Sequence, residues 1–91
     1  MIQILQTTIF KKQVKKLHKN QKKDLDQVIN VIVKDPFIGQ QKKGDLSNVR
    51  VYKFKMVGKL TLLAYEYFDN KLQLVLLTFG GHENFYRDLK S

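Results

Sequence analysis

Apolar residues recur along this chain with two different periods, and the change of period divides it. Near the N-terminus Phe10, Val14 and Leu17 stand at i, i+4 and i+7, with Lys11, Lys12, Lys15, Lys16 and Lys19 on the remaining faces. That spacing predicts an amphipathic helix with a basic back, capped by Thr7 or Thr8 and preceded by a short strand around Ile2 and Ile4. Asn20 offers a cap for a second helix, in which Leu25, Val28, Ile29, Ile32 and Val33 form the apolar stripe. Pro36 ends it, because the residue before a proline is pushed out of the helical region. Residues 35–48 read as a turn-rich connection anchored by Leu46.

Beyond it the period falls to two, and strands are predicted over 50–56, 59–68 and 72–79. They are separated by Val57-Gly58 and by Asp69-Asn70-Lys71, which suits a meander. The middle strand is apolar on both faces around Leu62-Leu63-Ala64 and is therefore expected to be central. In the first, Tyr52, Phe54 and Met56 alternate with Val51, Lys53 and Lys55, so the aromatic set packs under the helices and both lysines stand on the opposite face. The expected fold is α+β, a single domain over residues 1–91. A helical hairpin covers one face of a small, mostly antiparallel sheet, and a short helix follows Gly81. Phe10, Val14, Leu17, Leu25, Ile29, Ile32, Tyr52, Phe54 and Leu63 are the expected core.

Composition narrows the chemistry. With no cysteine there is neither a disulfide framework nor a thiolate metal site, and His18 and His82 are the only imidazoles. No metal or cofactor is implied. No apolar run is long enough to span a bilayer, and a cytoplasmic protein without a membrane partner is expected. The formal net charge of +9 is polarised: residues 1–59 carry fourteen Lys/Arg against four Asp/Glu, and residues 60–91 three against four. Such a field attracts polyanions, of which the nucleic-acid backbone is the commonest. An acidic protein partner answers the same field.

The densest polar chemistry follows the last strand, where Gly80-Gly81 delivers His82, Glu83, Asn84, Tyr86 and Arg87 within a few positions. On a short helix His82 and Tyr86 share a face, with Arg87 one step round it. An imidazole near neutral pKa, a phenolic donor and a fixed cation can move a proton and hold a phosphate. The competing reading is a helical tail whose Phe85 and Leu89 dock on the core while the polar residues face water. Likewise, Lys53 and Lys55 on one strand face form either a phosphate platform or a solvated surface.

Taken in order, these pieces resemble the RelE/ParE superfamily of bacterial toxins, and most closely its HigB-like branch. The resemblance runs through the helical hairpin, the Asp35-Pro36, Gly39 and Lys43-Gly44-Asp45-Leu46 connector, Val51-Tyr52-Lys53-Phe54-Lys55, Leu62-Leu63-Ala64-Tyr65-Glu66-Tyr67 and Gly81-His82-Glu83-Asn84-Phe85-Tyr86-Arg87-Asp88-Leu89. It implies a toxin of a type II toxin-antitoxin pair, neutralised by a cognate acidic antitoxin and reaching operator DNA only through that complex. RelE-like members cut mRNA in the ribosomal A site, without a metal, and so inhibit translation; ParE-like members instead poison DNA gyrase. The two-lysine strand and the Gly-His pair with an aromatic four residues on are similar to the nuclease members. On that basis Lys53, Lys55, His82 and Tyr86 are expected catalytic residues; Arg87 joins that set, and Arg50 with Lys11, Lys12, Lys15, Lys16 and Lys19 are the expected contacts to RNA and ribosome, by their charge and not by a matching family position. One departure stands out: many nuclease members carry an arginine where this chain has Leu62. Arg87 and then Arg50 are the candidates to replace that cation.

Overall fold

Thr7 turns the chain from strand to helix. Its Oγ1 accepts the Phe10 N–H at 3.1 Å and donates to the Leu77 carbonyl at 2.6 Å, so strand β1 (Gln3–Gln6) stops and helix α1 (Thr8–Lys15) begins with a satisfied first turn. After three linking residues, α2 (Lys19–Lys34) carries the longer apolar stripe and ends at Asp35, immediately before Pro36. Four more strands follow: β2 (Gln40–Gln41), β3 (Val49–Met56), β4 (Lys59–Phe68) and β5 (Gln73–Gly80). The computed structural model describes residues 2–42, 48–81 and 85. Of the helix expected after Gly81 only Phe85 is described, and it is helical; Leu46, the expected anchor of the connector, lies outside those residues.

The five strands form one sheet in the order β1-β5-β4-β3-β2. Only β1 and β5 run parallel, and β3, β4 and β5 make the meander that the spacing predicts. β4 is central, as its two apolar faces require. Phe10, Leu25, Val28 and Ile32 of the helices are buried with Met56, Leu63, Tyr65, Leu74, Leu76 and Phe79 of the sheet. Val14, Leu17, Ile29, Tyr52 and Phe54, expected in the core, pack against this cluster half-buried. Tyr65 is the largest fully buried side chain, and its phenol leaves no unmet polar group: it accepts the Gly39 N–H at 2.9 Å and donates to the Pro36 carbonyl at 2.8 Å. Burial pushes its ionisation upward, and the Gly39 N–H opposes that only in part.

Three findings differ from the sequence reading. Strand β2 lies inside the stretch read as a turn-rich connection; at two residues it is too short to show a period. Helix α2 starts one residue before Asn20, with His18 as N-cap and its N–H bound by the Gln21 side chain at 2.8 Å. The sheet face away from the helices is not wholly open. Val49, Val51, Leu62 and Ala64 form a second buried cluster there with Phe85, and Leu77 packs against it.

Candidate functional site

The alternation along β3 settles which side chains share a surface. Tyr52, Phe54 and Met56 belong to the helix-side core, whereas Val51 belongs to the cluster on the other face. Lys53 and Lys55 continue the Val51 side and are exposed. Among the described residues neither lysine side chain has a hydrogen-bond or ion-pair partner. Leu60 pairs in register with Lys55 and is 56% exposed, so the platform consists of two lysine side chains beside an uncovered apolar one.

One rung of the sheet ties the strand lysines to the polar C-terminal run. Lys53 pairs with Leu62 of β4, and Leu62 pairs with Gly80 of β5. At the usual strand spacing, the Lys53 and Gly80 backbones are about 10 Å apart, within the combined reach of two side chains. Gly81 follows, and its carbonyl accepts the Phe85 N–H at 2.9 Å. Phe85 is fully buried on the lysine-bearing face, against Val49, Val51, Leu62 and Ala64. Phe85, four residues after Gly81, therefore lies on the face that carries Lys53. His82, Tyr86 and Arg87, expected here, lie outside the described residues.

Leu62 occupies the middle of this rung at 1% exposure, beneath Phe85. An apolar contact thus replaces the arginine that the nuclease resemblance leads one to expect there. Arg50 does not stand in for it. Its place in the alternation puts it on the Tyr52 side, and its guanidinium donates to the carbonyls of Phe37 and Gly39 at 3.1 and 2.8 Å while lying over the Phe37 ring at 5.0 Å. Arg50 clamps the α2–β2 connector, on the opposite side of the sheet from Lys53 and Lys55. Lys11, Lys12, Lys15, Lys16 and Lys19 are exposed on the helical layer and likewise do not converge with the strand lysines.

The groove nearest the platform holds about 350 Å³ between Ile38, Gln40, Lys42, Val51, Tyr52 and Lys53. Among the described residues no group of His, Cys, Asp or Glu could hold a metal ion, and no helix is long and apolar enough to cross a membrane. What the described residues offer chemically is cationic stabilisation of a phosphate by two exposed strand lysines. Sequence reasoning missed Gln13, whose side chain bonds the end of β5. Its signal was a carboxamide on the apolar face of α1, three residues after Phe10 and four before Leu17.

A family model described as ParE-like toxin of type II bacterial toxin-antitoxin system matches residues 4–90. Among solved structures, the toxin-antitoxin complex RelBE of E. coli aligns with a TM-score of 0.74 at 18% identity, covering 91% of this chain and 99% of that one. The isolated E. coli RelE toxin gives 0.71 at 17% identity over 99% and 97%. The RelBE2 complex of Mycobacterium tuberculosis gives 0.67 at 16% identity over 89% and 98%. At these identities the likeness is one of fold. No curated protein sequence matches the chain.

Proposed function

We propose that this chain, which belongs to the ParE-like toxins of type II bacterial toxin-antitoxin systems, is a cytoplasmic ribosome-dependent mRNA endonuclease of the HigB-like kind, held inactive by a cognate acidic antitoxin. The observation that carries this reading is the rung Lys53, Leu62, Gly80. It sets an exposed strand lysine on the face against which Phe85, three residues after His82 in sequence, is buried.

Cleavage without a metal needs three things: removal of the ribose 2′-hydroxyl proton, stabilisation of the charged phosphorane, and protonation of the departing 5′-oxygen. As the O2′–P bond forms and the P–O5′ bond breaks, a 2′,3′-cyclic phosphate and a free 5′-hydroxyl result. Lys53 and Lys55 stabilise the phosphorane and one of them accepts the 2′-hydroxyl proton; His82 protonates the leaving oxygen. Tyr86 stacks on or hydrogen-bonds a base, and Arg87 supplies the cation missing at Leu62. Structures of toxin-antitoxin complexes in the same fold support the antitoxin as partner.

Toeprinting on translating ribosomes tests the reading. Wild-type protein should produce cuts at A-site codons, and the double variant Lys53→Ala/Lys55→Ala should lose them while keeping its melting temperature, because both side chains are exposed. Absence of cuts with wild-type protein, together with inhibition of purified DNA gyrase, would replace the nuclease by a gyrase poison that acts through binding alone.

A further inference from the structure

Strand β5 is longer than the strand that covers it. β1 pairs with β5 only from Gln73 to Leu76, and at Thr7 the chain turns away into α1. Beyond that point β5 presents backbone donors and acceptors with no strand beside them, which a buried sheet edge does not tolerate. Side chains from the α1 segment take over. Thr7 Oγ1 donates to the Leu77 carbonyl at 2.6 Å, and Gln13 meets Phe79 twice, Nε2 donating to its carbonyl at 2.8 Å and Oε1 accepting its N–H at 3.1 Å. Gln13 Oε1 also accepts the Thr78 hydroxyl at 3.1 Å. A carboxamide can do this because its donor and acceptor lie side by side, as do the N–H and C=O of one strand residue. Gln13 is a one-residue substitute for a sixth strand.

Phe79 is consequently fixed twice, its backbone by Gln13 and its ring edge-on to Phe10 at 5.4 Å between centroids. It is the last side chain before Gly80-Gly81, and a glycine pair passes on direction only if its origin is held. We infer that Gln13 is a positioning residue: by fixing Phe79 it fixes the point from which the chain leaves β5 towards Gly81 and Phe85, on the face that carries Lys53; as regards cleavage, this rests on the function proposed above.

The test compares wild-type protein with Gln13→Met, which keeps length but loses all three bonds, and Gln13→Glu, which keeps the acceptor and loses the donor. Amide exchange is read at Phe79 and at Phe85, whose N–H bonds Gly81, with the α2 amides as internal reference. Faster exchange at both sites in Gln13→Met, with α2 unchanged, is expected; unchanged protection at Phe85 overturns the inference whether or not the protein cuts mRNA. On ribosomes, Gln13→Met should lower kcat by roughly one to two orders of magnitude at an unchanged half-saturating ribosome concentration, and Gln13→Glu should fall between. A wild-type kcat in Gln13→Met, or a loss of kcat together with ribosome binding and α2 protection, overturns it. A wild-type protein that does not cut sinks the nuclease reading alone, and Phe85 exchange still decides the placement.

Discussion

Val57 adopts a backbone conformation that its side chain opposes. It sits at φ 50° in the two-residue turn between β3 and β4, followed by Gly58 at φ 80°. Turns of this kind favour Asn-Gly, because a β-branched side chain crowds the left-handed region. The turn survives because Asp24 of α2 accepts the Val57 N–H at 2.8 Å. Val57→Asn keeps that backbone bond and relieves the crowding, so it should stabilise by about 1 kcal/mol and raise the melting temperature by roughly 4 to 8 °C, read by thermal unfolding. In the proposed reaction His82 protonates the leaving oxygen. His82→Ala should cost roughly 10² to 10⁴ in cleavage rate, as removal of a general acid or base does, with ribosome affinity and unfolding temperature little changed. A loss of activity accompanied by clear destabilisation would mark a structural histidine instead.

At the scale of elements, the connector between α2 and β3 is held by one buried phenol. Tyr65 bonds both Gly39 and Pro36, and a Cβ on Gly39 would lie 2.7 Å from its Oη, so the approach depends on glycine. Because burial raises the Tyr65 pKa above its unfolded value, the stability it contributes is present in full below about pH 10 and is lost as the pH rises through the folded value. Tyr65→Phe should therefore lower stability at pH 7 yet flatten its decline above pH 10, measured by urea unfolding across that range. This clamp was not legible in the sequence, since it joins residues twenty-six apart through a hydroxyl and two backbone groups. The β3 surface was legible, because period-two alternation alone separates Lys53 and Lys55 from Tyr52 and Phe54. The same alternation assigns Arg50 to the Tyr52 side, but charge drew it into the expected RNA contacts. Its guanidinium instead serves two carbonyls and a ring. Strand β2 and the role of Gln13 were hidden for a related reason: both depend on which edge of the sheet is left unpaired, and topology decides that.

Among the described residues, the lysines expected to meet RNA and ribosome stand on two opposite layers. Five lysines, from Lys11 to Lys19, line the helical side, and Lys53 and Lys55 stand on the far side of the sheet. A single extended strand of RNA lying on the sheet face does not meet both sets, whereas the walls of a cavity that encloses the protein do. Among the described residues the sheet face offers an adjacent groove of about 350 Å³ and a central rung that is apolar at Leu62. In the proposed reaction the ribosome orients the 2′-hydroxyl in line with its phosphate, and such orientation is worth about 10⁵ M or more in effective concentration. Naked mRNA should accordingly be cut orders of magnitude more slowly than the same message in a programmed ribosome with an empty A site. Replacing Lys11, Lys12, Lys15, Lys16 and Lys19 by glutamine should weaken ribosome association and its salt dependence while leaving the rate of cutting at saturating ribosomes unchanged. Both are read by following one labelled mRNA, free and ribosome-bound, across a salt series. Cleavage of free mRNA at the ribosomal rate would show that the sheet face orients its own substrate, and a fall in the saturated rate of the five-glutamine protein would place the helical lysines in the chemical step.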